Sequence, residues 1–255
     1  MEDFVYYIIL LTIGGLSGCI IGLTGASGMS AMIAGLLLLG IDIKTIIPLT
    51  FVITLVNSFS ALPKYISHKN IRIKEGLFIA IPSAIFVFLG NFIGSGIKSS
   101  YLTIAIIICL FSIGLKLTFF DKDKKVVKKV KTKLNHPLSF IALGAILGVI
   151  MGVLGSGGGL FINILLLLLF KFSIKEAIGT SILVMGVSAL SGTFINVMNN
   201  AIDYKMVLLI SISSVICAII SSHFANKAKE KTIKKTLGIY LLVISTIIAI
   251  KGVLW

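Results

Sequence analysis

Charged side chains are scarce in this chain, and their scarcity excludes most classes of soluble protein. Only 13% of its 255 residues are charged, whereas soluble domains carry roughly 25%, and 57% are hydrophobic. Ten-residue segments of alternating polarity, which would favour a β-barrel, are also absent. The sequence therefore predicts an all-α polytopic protein of the cell (inner) membrane, with eight to ten membrane segments and the lipid bilayer as its surroundings.

Groups that carry catalysis or bind metal ions are missing as well. The chain has no HExxH motif, no Walker-type glycine loop with lysine, and no carboxylate pair deep within an apolar stretch. The three cysteines stand alone in apolar segments, without the spacing of a disulfide framework or a metal site: Cys19, Cys109 and Cys217. We therefore expect a protein that is not an enzyme, with no catalytic residues, no metal and no cofactor.

Acidic residues are few, so the formal net charge is +14. Nearly all the lysines lie in the connections between apolar segments. This asymmetry orients membrane helices and does not indicate a nucleic-acid surface, so we expect no nucleic-acid partner.

Ten apolar stretches follow one another along the chain: 4–23, 29–40, 46–63, 76–95, 101–118, 138–154, 159–170, 177–197, 206–225 and 237–254. The second and the seventh are short for a hydrocarbon core of about 30 Å, because a helix rises about 1.5 Å per residue. The only long polar segment separates two sets of five stretches. The predicted organisation is a first repeat, a basic cytoplasmic linker and a second repeat, at residues 1–118, 119–137 and 138–255.

The two halves show an internal repeat. Five glycines of the first half match five of the second at one constant offset: Gly14, Gly18, Gly22, Gly25 and Gly28 with Gly144, Gly148, Gly152, Gly155 and Gly158. Downstream, "IDIKTIIPLT" at 41–50 matches "FSIKEAIGTS" at 172–181. The first three glycines of each set recur every fourth residue, which predicts a smooth helix face for close packing.

The basic loops exchange places between the halves, which predicts an inverted-topology repeat. Residues 64–74 are rich in lysine and arginine while their counterpart 195–205 has one lysine, and 226–236 is basic while its counterpart 96–100 has one lysine. By the positive-inside rule, equivalent helices then run in opposite directions. We expect each half to open with a glycine-broken helical hairpin, which either crosses fully or is re-entrant, followed by three crossings. Basic loops then lie inside and both termini outside.

The glycine-rich breaks at 24–30 and 155–160 are the candidate binding site. Irregular backbone inside a bilayer is tolerated only where protein or a wet cavity surrounds it. A helix that restarts after a break points free N–H groups and its positive dipole end at the break, which favours a small anion. The predicted cradle consists of Gly25, Ser27, Gly28, Ser30, Gly155, Ser156, Gly157 and Gly158. The alternative is a tight helix crossing with no ligand.

The helices that follow the breaks offer further polar candidates. Thr50 and Ser181 occupy equivalent positions of the repeat, Thr180 precedes Ser181, and Asn57 lies two turns beyond Thr50. A lone threonine in a membrane helix often bonds its own backbone, but a repeat-related pair favours a shared role. We expect Thr50, Asn57, Thr180 and Ser181 to contribute to substrate binding.

The doubled "GxxxGxxxGxxG…GG" hairpin, "IKEAIGTS" after the second hairpin, and "GNFIGS" at 90–95 resemble the TauE/SafE family of sulfite exporter-like permeases. The resemblance spans both halves. It departs from the family pattern at Ile33 and Asn163, where family members usually carry proline. It implies a secondary transporter that moves a small, sulfur-containing anion, such as sulfite or an organosulfonate, by alternating access around a midplane site. An anion channel on the same fold, a non-transporting scaffold and a homo-oligomer stay open as alternatives.

Overall fold

The structure is a computed structural model that describes residues 2–115, 118, 137–170, 172–228 and 230–253. These residues form α-helices, one 3₁₀ turn and short connections, with no strand among them. The predicted linker at 119–137 lies outside the described residues except for Pro137. The ten helices are α1 (Glu2–Thr24), α2 (Met29–Leu38), α3 (Ile43–Ser67), α4 (Ile73–Ser95), α5 (Ser99–Leu115), α6 (Pro137–Leu154), α7 (Gly159–Leu168), α8 (Ile174–Met198), α9 (Tyr204–Lys227) and α10 (Glu230–Val253).

The all-α class predicted from the sequence is confirmed, and the helices correspond one to one with the ten apolar stretches. Six of them are long and apolar enough to cross a membrane, by length and composition: α1, α3, α4, α6, α8 and α9. By contrast α2 and α7 have 10 residues each, which is about 15 Å of helix. A helix of this length cannot cross a core of about 30 Å. Of the two hairpin geometries left open by the sequence, the structure therefore favours the re-entrant one.

α3 and α8 begin and end in the same way, as expected of repeat equivalents. The side chains of Asp42 and Ser173 cap the two N-termini, and Ser173 forms a reciprocal capping box with Glu176. Each C-terminus closes on a residue of positive φ, Lys69 at 55° and Asn200 at 50°. Around each of these residues, paired backbone hydrogen bonds cap the last helical carbonyls as in a Schellman motif.

The first helix of each half packs on the fourth helix of the other half. A Cβ at Gly18 of α1 would come within 2.0 Å of the carbonyl oxygen of Ser214 in α9, and a Cβ at Gly148 of α6 within 2.4 Å of that of Ser83 in α4. Residue numbers increase together along the two helices of each pair, so each pair is parallel. Gly14 contacts Ile210 and Gly22 contacts Ala218 between α1 and α9, and Gly144 contacts Ile79 and Gly152 contacts Val87 between α6 and α4. The prediction that these glycines serve close packing is confirmed.

α3 and α8 cross each other in the centre of the bundle. A Cβ at Gly192 would meet the ring of Phe51, one at Gly186 would meet Ser58, and one at Gly179 would meet Tyr65. Residue numbers fall along α8 as they rise along α3, so these two equivalent helices run antiparallel. They are also the most deeply buried of the six long helices.

Loops from both halves meet at one end of the bundle, which we call the basic end. Asn70 Nδ2 donates to Asn226 Oδ1 at 2.7 Å, and Arg72 Nε donates to Glu176 Oε1 at 2.9 Å. Lysines and an arginine flank these contacts: Lys64, Lys69, Arg72, Lys74, Lys175 and Lys227. The opposite end holds the α2–α3, α4–α5 and α8–α9 connections, where Ser99 Oγ donates to Asp42 Oδ1 at 3.2 Å. The basic loop 64–75 therefore lies at the same end as Asn226 and Lys227, which is necessary if the basic loops are to face one side of the membrane.

Candidate functional site

Both predicted breaks interrupt their helices. α1 ends at Thr24 and α2 begins at Met29, while α6 ends at Leu154 and a 3₁₀ turn at Ser156–Gly158 precedes α7. Gly25 opens the first break with φ +60°, and Gly155 opens the second with φ +88°. This left-handed region is strained for any residue with a Cβ, which is why glycine stands at both matched positions.

Each break rests on the third helix of the other half. In the first break, the Gly25 carbonyl accepts a hydrogen bond from Ser181 Oγ of α8 at 2.9 Å. In the second, the Ser156 N–H donates to Thr50 Oγ1 of α3 at 3.3 Å. Thr50 and Ser181 are repeat equivalents, so equivalent residues bond the break of the opposite half, although Ser181 donates its hydrogen bond and Thr50 accepts one. The sequence-predicted pair therefore lies at the breaks.

The two breaks meet through buried hydroxyl groups. Ser27 Oγ of the first break lies 3.1 Å from Ser156 Oγ of the second. Thr54 Oγ1 of α3 donates to Ser156 Oγ at 2.6 Å and lies 3.4 Å from Ser27 Oγ. All three side chains are at most 2% exposed. We call Ser27, Thr54 and Ser156 the hydroxyl cluster.

The hydroxyl cluster sits at mid-height of the bundle. Thr54 is the twelfth of the 25 residues of α3. Its repeat equivalent Met185 is the twelfth of the 25 residues of α8 and lies against the second break at Gly159. Because α3 and α8 are antiparallel, the cluster stands where the two central helices cross.

Two helix N-termini are directed at the hydroxyl cluster from opposite sides. α2 starts at the first break and runs to the opposite end, whereas α7 starts at the second break and runs to the basic end. The first-turn N–H groups of a helix lack intrahelical partners and carry its positive dipole end. One of them, the N–H of Met29, donates to Ser27 Oγ at 3.1 Å. The centre of the protein thus combines hydroxyl donors with two positive helix ends.

Three methionine side chains, which sequence reasoning did not single out, surround the second break. A Cβ on Gly155, Gly158 or Gly159 would lie within 3.2 Å of a methionine sulfur in each case. The methionines come from three helices and are at most 4% exposed: Met29 of α2, Met151 of α6 and Met185 of α8. The second break is thus polar on the side of α3 and lined by thioethers elsewhere.

Three of the candidate residues bond outside the hydroxyl cluster. Ser30 Oγ lies 2.9 Å from the hydroxyl of Tyr240 in α10. Thr180 Oγ1 accepts the backbone N–H of Arg72 at 3.1 Å, close to the basic end. Asn57 Nδ2 donates to Ser214 Oγ of α9 at 2.7 Å. Of the remaining candidates, Gly25, Ser27, Gly28, Thr50, Gly155, Ser156, Gly157, Gly158 and Ser181 lie in or against the two breaks.

Asn163 of α7 is a polar residue at the site that sequence reasoning noted only as a departure from the family pattern. Its Nδ2 donates to the carbonyl oxygen of Thr24, the last residue of α1, at 2.8 Å. Its Oδ1 is buried without a hydrogen-bond partner. An amide in an apolar ten-residue helix was the available signal, since a buried amide needs a partner. The second hairpin thus caps the helix that leads into the first break.

Among the residues that the structure describes, the hydrogen-bond partners of the hydroxyl cluster are hydroxyl and backbone groups, not charged side chains. That part of the chain likewise contains no group of three or more His, Cys, Asp or Glu side chains that could hold a metal ion. The chemistry available at the centre is therefore hydrogen bonding by hydroxyl and backbone groups.

Two broken helical hairpins meet between two antiparallel central helices, and six helices are long and apolar enough to cross a membrane. These features define a multi-pass helical membrane protein, and discontinuous helices of this kind are typical of secondary transporters. The model of the family described as sulfite exporter TauE/SafE matches residues 10–248. The chain belongs to this family of membrane transporters.

Curated relatives are similar over nearly the whole chain. One described as probable membrane transporter protein YdhB of Bacillus subtilis is 27% identical over 87% of this chain and 91% of its own length. Another relative from Bacillus subtilis, YunE, is 20% identical over 97% of this chain and 98% of its own length. The protein MJ0441 of Methanocaldococcus jannaschii is 25% identical over 96% of this chain and 95% of its own length. YunE and MJ0441 are also described as probable membrane transporter proteins. No solved structure matches the chain.

Proposed function

We propose that the protein is a carrier of a small, sulfur-containing anion, such as sulfite or an organosulfonate, and that it works by alternating access around the hydroxyl cluster. One observation carries the proposal. Two helix breaks, contributed by opposite halves, meet at mid-height with their restarting helices directed at the same buried hydroxyl groups. In secondary transporters, substrate sites lie near the midplane at such discontinuous helices.

An anion suits this centre better than a cation or an apolar solute. Hydroxyl groups donate hydrogen bonds, and the two positive helix ends favour negative charge by roughly 0.3–1 kcal/mol each at exposed sites and by more where water is excluded. A fixed cationic side chain would hold an anion more tightly, but it would also slow its release. A site built from neutral donors favours binding and release over permanent capture.

The family description supports sulfur chemistry, and the methionines around the second break support an organic substituent. Thioethers are polarisable and adaptable, so they can contact carbon and sulfur atoms of varied shape. The hydroxyl cluster would hold the oxygen atoms of the anion, and Met29, Met151 and Met185 would face the remainder.

The arrangement of the halves supports alternating access. The equivalent helices α3 and α8 cross antiparallel, which is the relationship expected of halves inserted with opposite orientation. In the structure, the hydroxyls of the cluster already have partners: Thr54 donates to Ser156, Ser156 donates to the Thr50 carbonyl, and Ser27 lies beside Thr54 and Ser156. A substrate would take over these hydrogen bonds, so its entry requires the two breaks to separate.

Ligand binding is tested by a thermal-shift screen of the purified protein in neutral detergent. Sulfite, sulfate, thiosulfate, alkylsulfonates and carboxylates are compared at constant ionic strength. A bound ligand stabilises the folded state by roughly 2.7 kcal/mol at a hundredfold excess over its dissociation constant. We expect a sulfur oxyanion to stabilise the wild type and to lose its effect in Ser156→Ala. Stabilisation by carboxylates alone would contradict the substrate class.

Transport is then measured in proteoliposomes with the ligand found in the screen. A carrier shows saturable uptake and accelerated exchange when unlabelled substrate is present on the far side. Flux that neither saturates nor shows counterflow would indicate the channel alternative, and binding without flux would contradict a transport function.

A further inference from the structure

A polar cavity lies at the basic end, away from the hydroxyl cluster. Its volume is about 270 Å³. Residues from the start of α4, the start of α6 and the connection before α8 line it: Arg72, Lys74, Glu75, Phe78, Pro137, Phe140 and Phe172. Two cations thus share one cavity with three aromatic rings.

The guanidinium of Arg72 is held in a fixed orientation. Its Nε donates to Glu176 Oε1 at 2.9 Å and its Nη2 to Glu176 Oε2 at 3.4 Å. The same group stacks over the ring of Phe172, with Cζ 4.3 Å from the ring centroid. A planar guanidinium fixed along one edge presents its other edge in a defined direction, which lysine cannot reproduce.

Among the described residues, the other edge of Arg72 has one loose partner. Its Nη1 lies 3.9 Å from Glu75 Oε1, beyond hydrogen-bond distance, and both side chains are about one-third exposed. An ion pair of this kind contributes little to stability, so an incoming anion can replace it. Lys74 lines the same cavity and adds a second positive charge.

We propose that this cavity is a binding site for a small oxyanion, held by the Nη1 edge of Arg72 and by Lys74. Glu75 is the resident counter-charge that the anion displaces, and Glu176 with Phe172 acts by positioning Arg72. The guanidinium edge matches two oxygen atoms of a sulfonate, sulfate or phosphate group. The role of the site as a place where anions gather before they reach the centre rests on the proposed function, but anion binding at the site does not.

A fluorescence measurement reports on this site alone. Phe172→Trp retains a ring beneath Arg72, and Trp255→Phe removes the single native tryptophan. The full-length double variant in neutral detergent is titrated with iodide, an anionic quencher, at constant ionic strength, and separately with caesium, a cationic quencher. We expect a saturable component of quenching with iodide and none with caesium.

Variants of the cavity residues distinguish iodide that binds in the cavity from iodide that quenches by collision alone. Arg72→Gln and Lys74→Gln should each abolish the saturable component, and Lys74→Gln leaves the Arg72–Glu176 pair intact if the arginine variant folds poorly. Glu75→Gln should lower the half-saturating iodide concentration at least threefold, because it removes the competing carboxylate. Lys98→Gln, an exposed cation of the opposite end, should change nothing. Sulfate added as a non-quenching competitor should reverse the saturable component.

The proposal would be overturned if quenching rose linearly with iodide concentration and to the same extent in the double variant with and without Lys74→Gln. So would loss of the saturable component on addition of phosphatidylglycerol but not of sulfate, since the occupant would then be a lipid headgroup. Because the readout does not involve flux, a protein that transports without saturable quenching contradicts only this site. Saturable quenching without transport contradicts only the proposed function.

Discussion

Ser27 and Ser156 stand 129 residues apart in the chain, and their buried hydroxyl oxygens lie 3.1 Å from each other. Each belongs to a glycine-rich helix break of a different half, so this single contact joins the two halves at the centre of the bundle. With the hydrogen bonds of Ser156 to Thr54 and to the Thr50 carbonyl, it brings the hydroxyl groups and the two restarting helices to one place.

Ser156→Ala is predicted to impair transport strongly. The substitution removes a hydroxyl that donates to the Thr50 carbonyl at 3.0 Å, accepts from Thr54 and lies beside Ser27. We expect initial uptake in proteoliposomes to fall at least tenfold, and stability to fall by about 1–3 kcal/mol, because buried partners are left unsatisfied. Ser112→Ala is the matched control, since Ser112 is exposed and bonds only the carbonyl of Ile108 within α5. Equal uptake by the two variants would contradict a role for the cluster.

Gly18→Ala and Gly148→Ala are predicted to destabilise the protein to a similar degree. Each places a methyl group within 2.4 Å of a backbone oxygen of the partner helix, so the helices must move apart. We expect a cost of about 1–3 kcal/mol, measured as a lowered melting temperature in detergent. Gly15→Ala is the control, because its Cβ would meet only Cys217 Sγ, at 3.4 Å. An unchanged melting temperature in Gly18→Ala or Gly148→Ala would show that the corresponding helix pair is packed less tightly than described.

The two ends of the bundle are predicted to face opposite sides of the membrane. In a variant without native cysteines, single cysteines at Lys69 and Lys227 should be labelled by an impermeant maleimide only after the cells are opened. Single cysteines at Lys98 and Lys205 should be labelled in intact cells. The basic end then faces the cytoplasm, as the distribution of lysine and arginine predicts. Labelling of Lys69→Cys and Lys98→Cys from the same side would contradict the predicted arrangement.

α1 and α9 are predicted to move as one unit during transport. Cys19 of α1 and Cys217 of α9 lie in the contact between these two helices, where Gly18 packs on Ser214 and Gly22 on Ala218. Oxidation with copper phenanthroline should form a disulfide between them, seen as loss of both thiols to alkylation. Uptake should fall by less than twofold, since the cross-link joins helices that stay together. The experiment uses the Cys109→Ala variant, in which Cys19 and Cys217 are the remaining cysteines. Strong inhibition that a reductant reverses would show that α1 and α9 separate during the transport cycle.

The helices and their breaks were predictable because their causes are local in sequence. An apolar stretch bounded by polar connections is visible in any window, and the positions of Gly25 and Gly155 follow from a conformation that other residues avoid. The repeat added the pairing of Thr50 with Ser181, and both residues lie at the breaks. The predicted cradle therefore contains the residues that bring the two halves together.

The rest of the site depends on contacts between distant segments. Thr54 in an apolar helix has no feature that separates it from a threonine bonded to its own backbone, and its partner Ser156 is 102 residues away. Met29, Met151 and Met185 are indistinguishable in sequence from methionines that fill a core. The Arg72–Glu176 pair likewise required the orientation of one half against the other.

The two halves match in the order of their helices but differ in chemistry at the centre. Thr54 and Met185 occupy matched places beside the midpoints of α3 and α8, yet one carries a hydroxyl and the other a thioether. The proposed solute, with an oxygen-rich head and a carbon-containing tail, is expected to turn its oxygen atoms towards Thr54 and its tail towards Met185. Such a carrier would keep its cargo the same way round whichever compartment it opens to, so reversing the gradient would reverse the flow but not turn the molecule over.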